Sequence, residues 1–273
     1  MYRDRYINRN NPRRIEPLDK PLDTYVMLDT ETTGLHPEEG ATIIEIGALL
    51  VTPGNENARP RFEQLVDPQR PLSEFISRLT GISDGMLRDK PTADAAMLRL
   101  HQWLDDVWPA GRPLTVIAHN AEFDIGFLDA AERAYNPDAN EFDCRWLCTK
   151  EMSWELNPRK RHHRVSDLIV DYRIGDVEEH RALSDAIQEQ MIYRALCREA
   201  SMKAKWNEMS TVLDEQGRDQ PAGFVSQHPR GAGIERSGSP SCAVEPDLDE
   251  HDSGHDGRRH HMHRVFGKNH PNK

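Results

Sequence analysis

The 273-residue chain is short of several things, and each shortage closes off a class of explanation. There are only four cysteines, at 144, 148, 197 and 242, too few and too scattered for a disulfide framework; a reducing, cytoplasmic setting is the expectation. No apolar run approaches the length of about 18 residues that a membrane helix needs, so no membrane association is expected. The N-terminal MYRDRYINRNNPRR is basic but has no apolar stretch, so it does not read as a secretory signal. There is no internal repeat. Hydrophobic residues make up 37% of the chain and mean hydropathy is −0.77, which suits a core with polar flanks.

Positive charge is also in deficit. The net charge is −11, but residues 1–21 carry six Lys/Arg against three Asp/Glu, and residues 201–273 carry ten against eleven. The body between them holds 19 against 32. An acidic body is a poor passive binder of nucleic acid, because phosphate contacts depend on Lys and Arg. If the substrate is a polyanion, the acids near it must be neutralised, and divalent metal would do so. Simple solubility explains the same sum.

Composition divides the chain into three parts. Residues 1–21 mix Arg, Asn and Pro without periodicity and read as a flexible basic arm. Residues 201–273 become rich in Gly, Pro and Ser, hold seven of the 13 histidines, and read as a polar, disordered tail. The domain proper is expected over 22–200. There, TYVMLD, TIIEIGALLV and RFEQLV read as three strands separated by turn residues, suited to an antiparallel meander. A helix follows over 92–108, with Thr92 as N-cap and Ala95, Leu98, Trp103 and Leu104 near helical spacing. LTVIAHN (114–120) reads as a buried strand, FDIGFLDAAERAY (123–135) as a helix, 142–148 as a strand, and 179–200 as a long amphipathic helix. Strands feeding helices after a meander indicate an α/β or α+β organisation.

Three short stretches carry chemistry. In YVMLDTETTGL, Asp29 and Glu31 are two apart at the end of a strand, where period two points both carboxylates to one side. A hard divalent ion favours such oxygens, and two ions about 3.5–4 Å apart can activate water and stabilise a leaving oxyanion. In VIAHNAEFDIGFL an apolar strand runs into His119-Asn120, and Asp124 opens the next helix; a lone Asp there also complements the helix dipole. In EEHRALSDA, His180 lies near a helix start with Asp185 one and a half turns on, and histidine is the natural proton acceptor near neutral pH.

Taken in order over 29–185, LDTETTGL, HNAEFDIGFL and HRALSDA resemble the three motifs of the DEDDh family of 3′–5′ exonucleases. The resemblance covers about 24–198 and takes in IIEIGALLV and LTGISDGMLRDKPT. It implies a ribonuclease-H-like α/β fold, a mixed five-stranded sheet whose first three strands are antiparallel, flanked by helices. It also implies two divalent ions, Mg²⁺ or Mn²⁺. Asp29, Glu31, Asp124 and Asp185 match the four metal-binding acids, and His180 the general base. Thr32, Leu35, Asn120 and Phe123 align with positions lining the pocket for the 3′-terminal nucleotide. The implied activity is release of nucleoside monophosphates from DNA 3′ ends, free-standing or as a proofreading-type partner of a DNA polymerase.

Two alternatives stand beside this reading: the same chemistry on RNA 3′ ends, and a non-catalytic scaffold built on the fold, which five intact motif residues argue against. No polymerase domain and no glutamine-led clamp-binding motif is recognisable in the chain. Cys144, Cys148, His162 and His163 are too irregularly spaced for zinc and are expected to pack. Glu45 falls in a strand expected to be buried, where the resemblance makes it a structural hydrogen-bonder. The densest basic run of the body, NPRKRHHR (157–164), reads either as a solvated loop or as a contact for a nucleic-acid backbone.

Overall fold

The computed structural model describes residues 10–16, 21–55, 59–175 and 178–215; most of the expected tail, from 216 on, lies outside the described residues. Five strands form one sheet in the order β3-β2-β1-β4-β5: β1 Tyr25–Thr32, β2 Ile43–Val51, β3 Arg61–Leu65, β4 Thr115–Ala118 and β5 Arg145–Cys148. The first three pair antiparallel, Tyr25 opposite Val51 and Glu45 opposite Leu65. β4 runs parallel to β1, and β5 parallel to β4. The mixed sheet with an antiparallel first half is the one expected.

The first half of β1, Tyr25 to Leu28, and nearly all of β2 are apolar because helices cover both faces of the sheet there. Two short helices, α1 Glu74–Thr80 and α2 Asp84–Leu87, form a small cluster with Ile44 through Ile76, Ile82 and Leu87. On one face of the sheet, Val26 and Leu28 pack with α3 Ala93–Val107 and α4 Ala121–Tyr135, among Met97, Leu100, Ile125, Phe127 and Leu128. On the other, Tyr25 and Met27 meet α5 Thr149–Leu156, α6 Val165–Asp171 and α7 Ala182–Glu215, among Met152, Leu168, Ile169, Ile192, Tyr193 and Leu196. Each such aliphatic or aromatic side chain, fully buried, stabilises the fold by about 1.5–3 kcal/mol before conformational entropy is subtracted.

The structure departs from the sequence reading in three places. In the first turns of α3 the buried face is shifted, with Ala96, Met97 and Leu100 buried and Leu98 42% exposed, whereas Leu104 is buried and Trp103 packs against the core as expected. Thr92 occupies the N-cap but its hydroxyl bonds the Asp94 carboxylate rather than the helix backbone. α7 starts at Ala182, leaving His180 in the preceding loop, and runs through residues 201–215, which composition assigns to the tail. Finally, residues 13–15 are no loose arm. Arg14 forms a parallel bridge with Trp146 at the outer edge of β5, the Ile15 amide donates to the Trp146 carbonyl at 2.7 Å, and Ile15 is buried.

α7 comes closest to the sheet at Gly47. A Cβ added there would lie 2.1 Å from the carbonyl carbon of Ala182 and from the Leu183 nitrogen, so only glycine lets the start of α7 rest on β2. This contact seats the third motif over the strand next to β1.

Candidate active site

β1 carries its two acids as the alternation of a strand requires. Asp29 and Glu31 are half-buried on one side, and Thr30 and Thr32 are buried on the other. Both acids lie within the strand, which continues to Thr32 past the end expected at Asp29. The threonines hold the neighbourhood in place. Thr30 donates to the Asp124 carboxylate twice, through its amide at 3.1 Å and its hydroxyl at 2.8 Å, locking the first turn of α4 onto β1. Thr32 turns its hydroxyl to the Gly34 carbonyl at 2.7 Å.

The corner between β4 and α4 is clamped at His119. Its Nε2–H donates to the His163 carbonyl at 2.8 Å, which leaves Nδ1 to accept from the Thr149 hydroxyl at 2.9 Å. Burial, with Lys150 and His163 nearby, lowers its pKa to about 3, so the ring is neutral. The next residue, Asn120, has φ +61° and serves as the N-cap of α4. Sharp reversal at Asn120 is what brings Asp124 back to the strand end, and Asn tolerates this left-handed conformation better than most residues.

The third group comes from the loop before α7. Asp185, the fourth residue of that helix, accepts from the Glu179 amide at 3.2 Å and from the Arg181 amide at 3.1 Å, one on each side of His180. His180 sits between them with φ +52°, a strained conformation for histidine that this grip holds in place. Glu45, fully buried on β2, binds the Arg181 guanidinium at 2.7 and 3.0 Å and the Ala182 amide at 3.0 Å. That is the structural role expected of it, and it fixes the loop from the other side.

Glu31, His180 and Asp185 thus converge, their ligand atoms within 4.8 Å of one another, the one such group among the described residues. Asp29 and Asp124 belong to the same concentration of charge. Burial raises the Asp29 carboxyl well above its ordinary range, and Glu189, Asp124, Glu31 and Asp185 push it in the same direction. Glu31 is raised to about 8, chiefly by burial and then by Asp185, and Asp124 to about 7 by burial despite its bonds to Thr30. Five carboxyls crowd together, and none is in an ion pair with Lys or Arg among the described residues. Hard oxygen donors gathered without a protein cation fit divalent metal. Of the expected pocket residues, Thr32 ends β1, Asn120 and Phe123 open α4, with Phe123 against Phe127 at 4.9 Å, and Leu35 is 42% exposed just beyond β1.

Sequence reasoning does not single out Glu189. It is 2% exposed, and its Oε2 accepts from the His119 amide at 3.1 Å. The signal is present, since it lies four residues after Asp185 and so on the same face of α7.

A mixed sheet with acids from β1, α4 and α7 gathered beside a histidine defines a nuclease of the exonuclease type. A family model described as Exonuclease, that of the RNase T group, matches residues 26–193, and the chain belongs to this family. A PolC-type DNA polymerase III from Bacillus subtilis is 34% identical over 189 residues, 66% of this chain and 12% of that protein. The corresponding protein of Lacticaseibacillus paracasei is 29% identical over 205 residues, 75% of this chain and 13% of that protein. The chain therefore spans only about an eighth of the length of these relatives. Among solved structures, the nuclease domain of 3′hExo, a DEDDh family member bound to rAMP, has a TM-score of 0.57 at 18% identity, covering 66% of this chain and 94% of that one. Cell-death related nuclease 4 gives 0.56 at 17%, covering 67% and 66%. These likenesses show the ribonuclease-H-like fold. The DEDDh exonucleases use two divalent ions, Mg²⁺ or Mn²⁺, and the acid cluster here has the donors for them. No helix among the described residues is long and apolar enough to cross a membrane.

Proposed function

We propose that the protein hydrolyses DNA from its 3′ end, releasing nucleoside 5′-monophosphates. The observation that carries this reading is the convergence of Glu31, His180 and Asp185, from β1, the loop before α7 and α7 itself, beside Asp29 and Asp124. Asp29, Glu31, Asp124 and Asp185 would hold the two ions. When bound, these supply charge neutralisation at the phosphate and Lewis-acid polarisation of water.

The chain's own residues do the rest. His180 takes the proton of the attacking water on its imidazole, and the grip of Asp185 on the amides of residues 179 and 181 keeps the ring turned inward. The water oxygen bonds to phosphorus as the bond to the 3′ oxygen breaks; that oxygen takes up a proton from solvent, leaving a shortened strand with a 3′ hydroxyl, and His180 returns its proton to solvent. Thr32, Leu35, Asn120 and Phe123 line the position of the departing nucleotide. Glu45 and Arg181 act at one remove, by fixing the loop that carries His180.

DNA is favoured over RNA because the curated relatives are DNA polymerases, and for the same reason association with a polymerase as a proofreading partner is the leading cellular role. The described cysteines, Cys144, Cys148 and Cys197, are buried free thiols, in keeping with the cytoplasm. The test is a substrate panel: 3′-labelled and 5′-labelled single strands, matched and mismatched duplexes, and RNA, each with Mg²⁺ or Mn²⁺. Mononucleotides appearing first from the 3′ label on DNA are expected. First release from the 5′ label, or cleavage of RNA alone, would overturn the assignment.

A further inference from the structure

The loop 157–164 is the densest basic stretch, and has no acid, in a body where acids outnumber bases 32 to 19. It is also attached to the candidate active site. The carbonyl of buried His163 receives the His119 Nε2–H, and its own Nδ1 meets the Ser153 hydroxyl at 2.8 Å. Trp154 packs edge-on against the His163 ring at 5.9 Å, and Lys150 lies over Trp154, 5.6 Å from its centroid. Arg161 and Arg164 are exposed on the same loop. Arg164 binds Asp167 at 3.0 Å, and the Ser166 amide, two residues on, donates to the carboxylate of Glu178, two residues before His180. Lys160 is engaged elsewhere, in an ion pair with Asp171. One shelf, made by α5 and the loop behind it, therefore brings cations and an aromatic ring up to the cleft from its His119 and His180 sides.

We propose that this shelf is the landing surface for single-stranded nucleic acid upstream of the 3′ nucleotide, with Lys150, Arg161 and Arg164 on the phosphates and Trp154 beneath a sugar or base. Basic residues interleaved with an aromatic ring are how a backbone is held without reading its sequence. The arrangement also answers how so acidic a protein retains a polyanion: ions neutralise the acids in the cleft, and attraction is confined to one flank. The inference rests on the nuclease reading of the cleft.

The test uses the full chain with Lys150, Arg161 and Arg164 changed to alanine, and Trp154→Ala separately. Steady-state rates are measured on a 20-nucleotide DNA strand, its RNA counterpart, and a small chromogenic thymidine phosphodiester that has no upstream backbone. For the triple variant, kcat/KM on the 20-mer should fall at least about tenfold more than on the small ester, through KM. The slope of log affinity against log salt should flatten by about 2, near 0.7 for each single-strand phosphate no longer neutralised. The pair Arg161→Gln with Arg164→Gln, both exposed, should show a smaller loss of the same kind. Equal losses on long and small substrates, or an unchanged salt slope, would overturn the proposal. Anisotropy of a fluorescent 20-mer with metal-free protein tests the surface even if no substrate is cleaved, which separates failure of the shelf from failure of the nuclease reading. Comparison of the DNA and RNA arms shows which sugar the shelf prefers.

Discussion

At the outer edge of β5, Asp129, Glu141 and Glu151 each face an arginine, with Arg13 2.7 Å from Asp129 and 3.3 Å from Glu141, and Arg14 2.5 Å from Glu151. At the end of β1, Asp29, Glu31, Asp124, Asp185 and Glu189 face none among the described residues. At the edge, Asp129 and Glu151 are largely shielded from water, and pairing with an arginine offsets the desolvation of each, as proteins usually arrange. Around β1 the same fold gathers acids and leaves out the arginines, although Arg181 is close by and committed to Glu45. The contrast teaches that the cleft charge is not a by-product of an acidic composition. At the edge the fold meets its carboxylates with arginines; around β1, among the described residues, it meets them at most with hydrogen bonds, and the missing cation is expected from outside.

Substitutions on the two sides of this comparison should behave differently. Asp29→Asn should remove hydrolysis almost entirely, a loss of about 10³-fold or more in kcat, measured by release of labelled mononucleotide; a rate near wild type would refute the metal-centre reading. His180→Ala should lower kcat by about 10²- to 10⁴-fold while calorimetry still shows Mn²⁺ binding, and undiminished turnover would remove it as the base. Glu189→Ala should cost about tenfold in kcat by freeing the His119 amide, with Glu189→Gln, which keeps an acceptor, recovering most of the rate. If the glutamine variant is as impaired as the alanine one, the charge of Glu189 matters rather than its hydrogen bond. Arg13→Ala with Arg14→Ala should lower the midpoint of thermal unfolding by about 5–10 °C, since Glu151 is left buried and unpaired, with kcat at 25 °C within about twofold of wild type. A large loss of kcat in that variant would mean that the two regions are not separable.

How far the sequence foretells this depends on whether each signal is local. Asp29 and Glu31 are legible because a strand's period of two acts over three residues. The sheet is legible because Tyr25 to Leu28 of β1 and nearly all of β2 are apolar on both faces. The sequence reading puts the first turns of α3 out of phase, choosing Leu98 over Met97, because apolar residues ring them, Ala93, Ala95, Ala96, Met97 and Leu98 in close succession, leaving periodicity little to choose between. Arg13–Ile15 look mobile from composition because what holds them, Asp129, Trp146 and Glu151, lies more than a hundred residues further on. Glu189 escapes notice for a different reason, because an acid in an amphipathic helix ordinarily faces water. Only packing against β1 and His119 puts it inside.

The central claim, that the cleft acids are held uncompensated for a cation, is most directly tested by the pH dependence of thermal unfolding with and without metal. Ordinary values are 4.5 for Glu31 and 3.8 for Asp124, and the fold raises them to about 8 and about 7. The folded chain therefore keeps protons that the unfolded chain has released, so the cluster's contribution to stability falls as pH rises from about 4 to about 8. The metal-free protein should lose at least about 3 °C in its midpoint between pH 5 and pH 8, and saturating Mg²⁺ or Mn²⁺ should raise the midpoint more at pH 8 than at pH 5. A midpoint that is flat across this range and indifferent to metal would contradict the account.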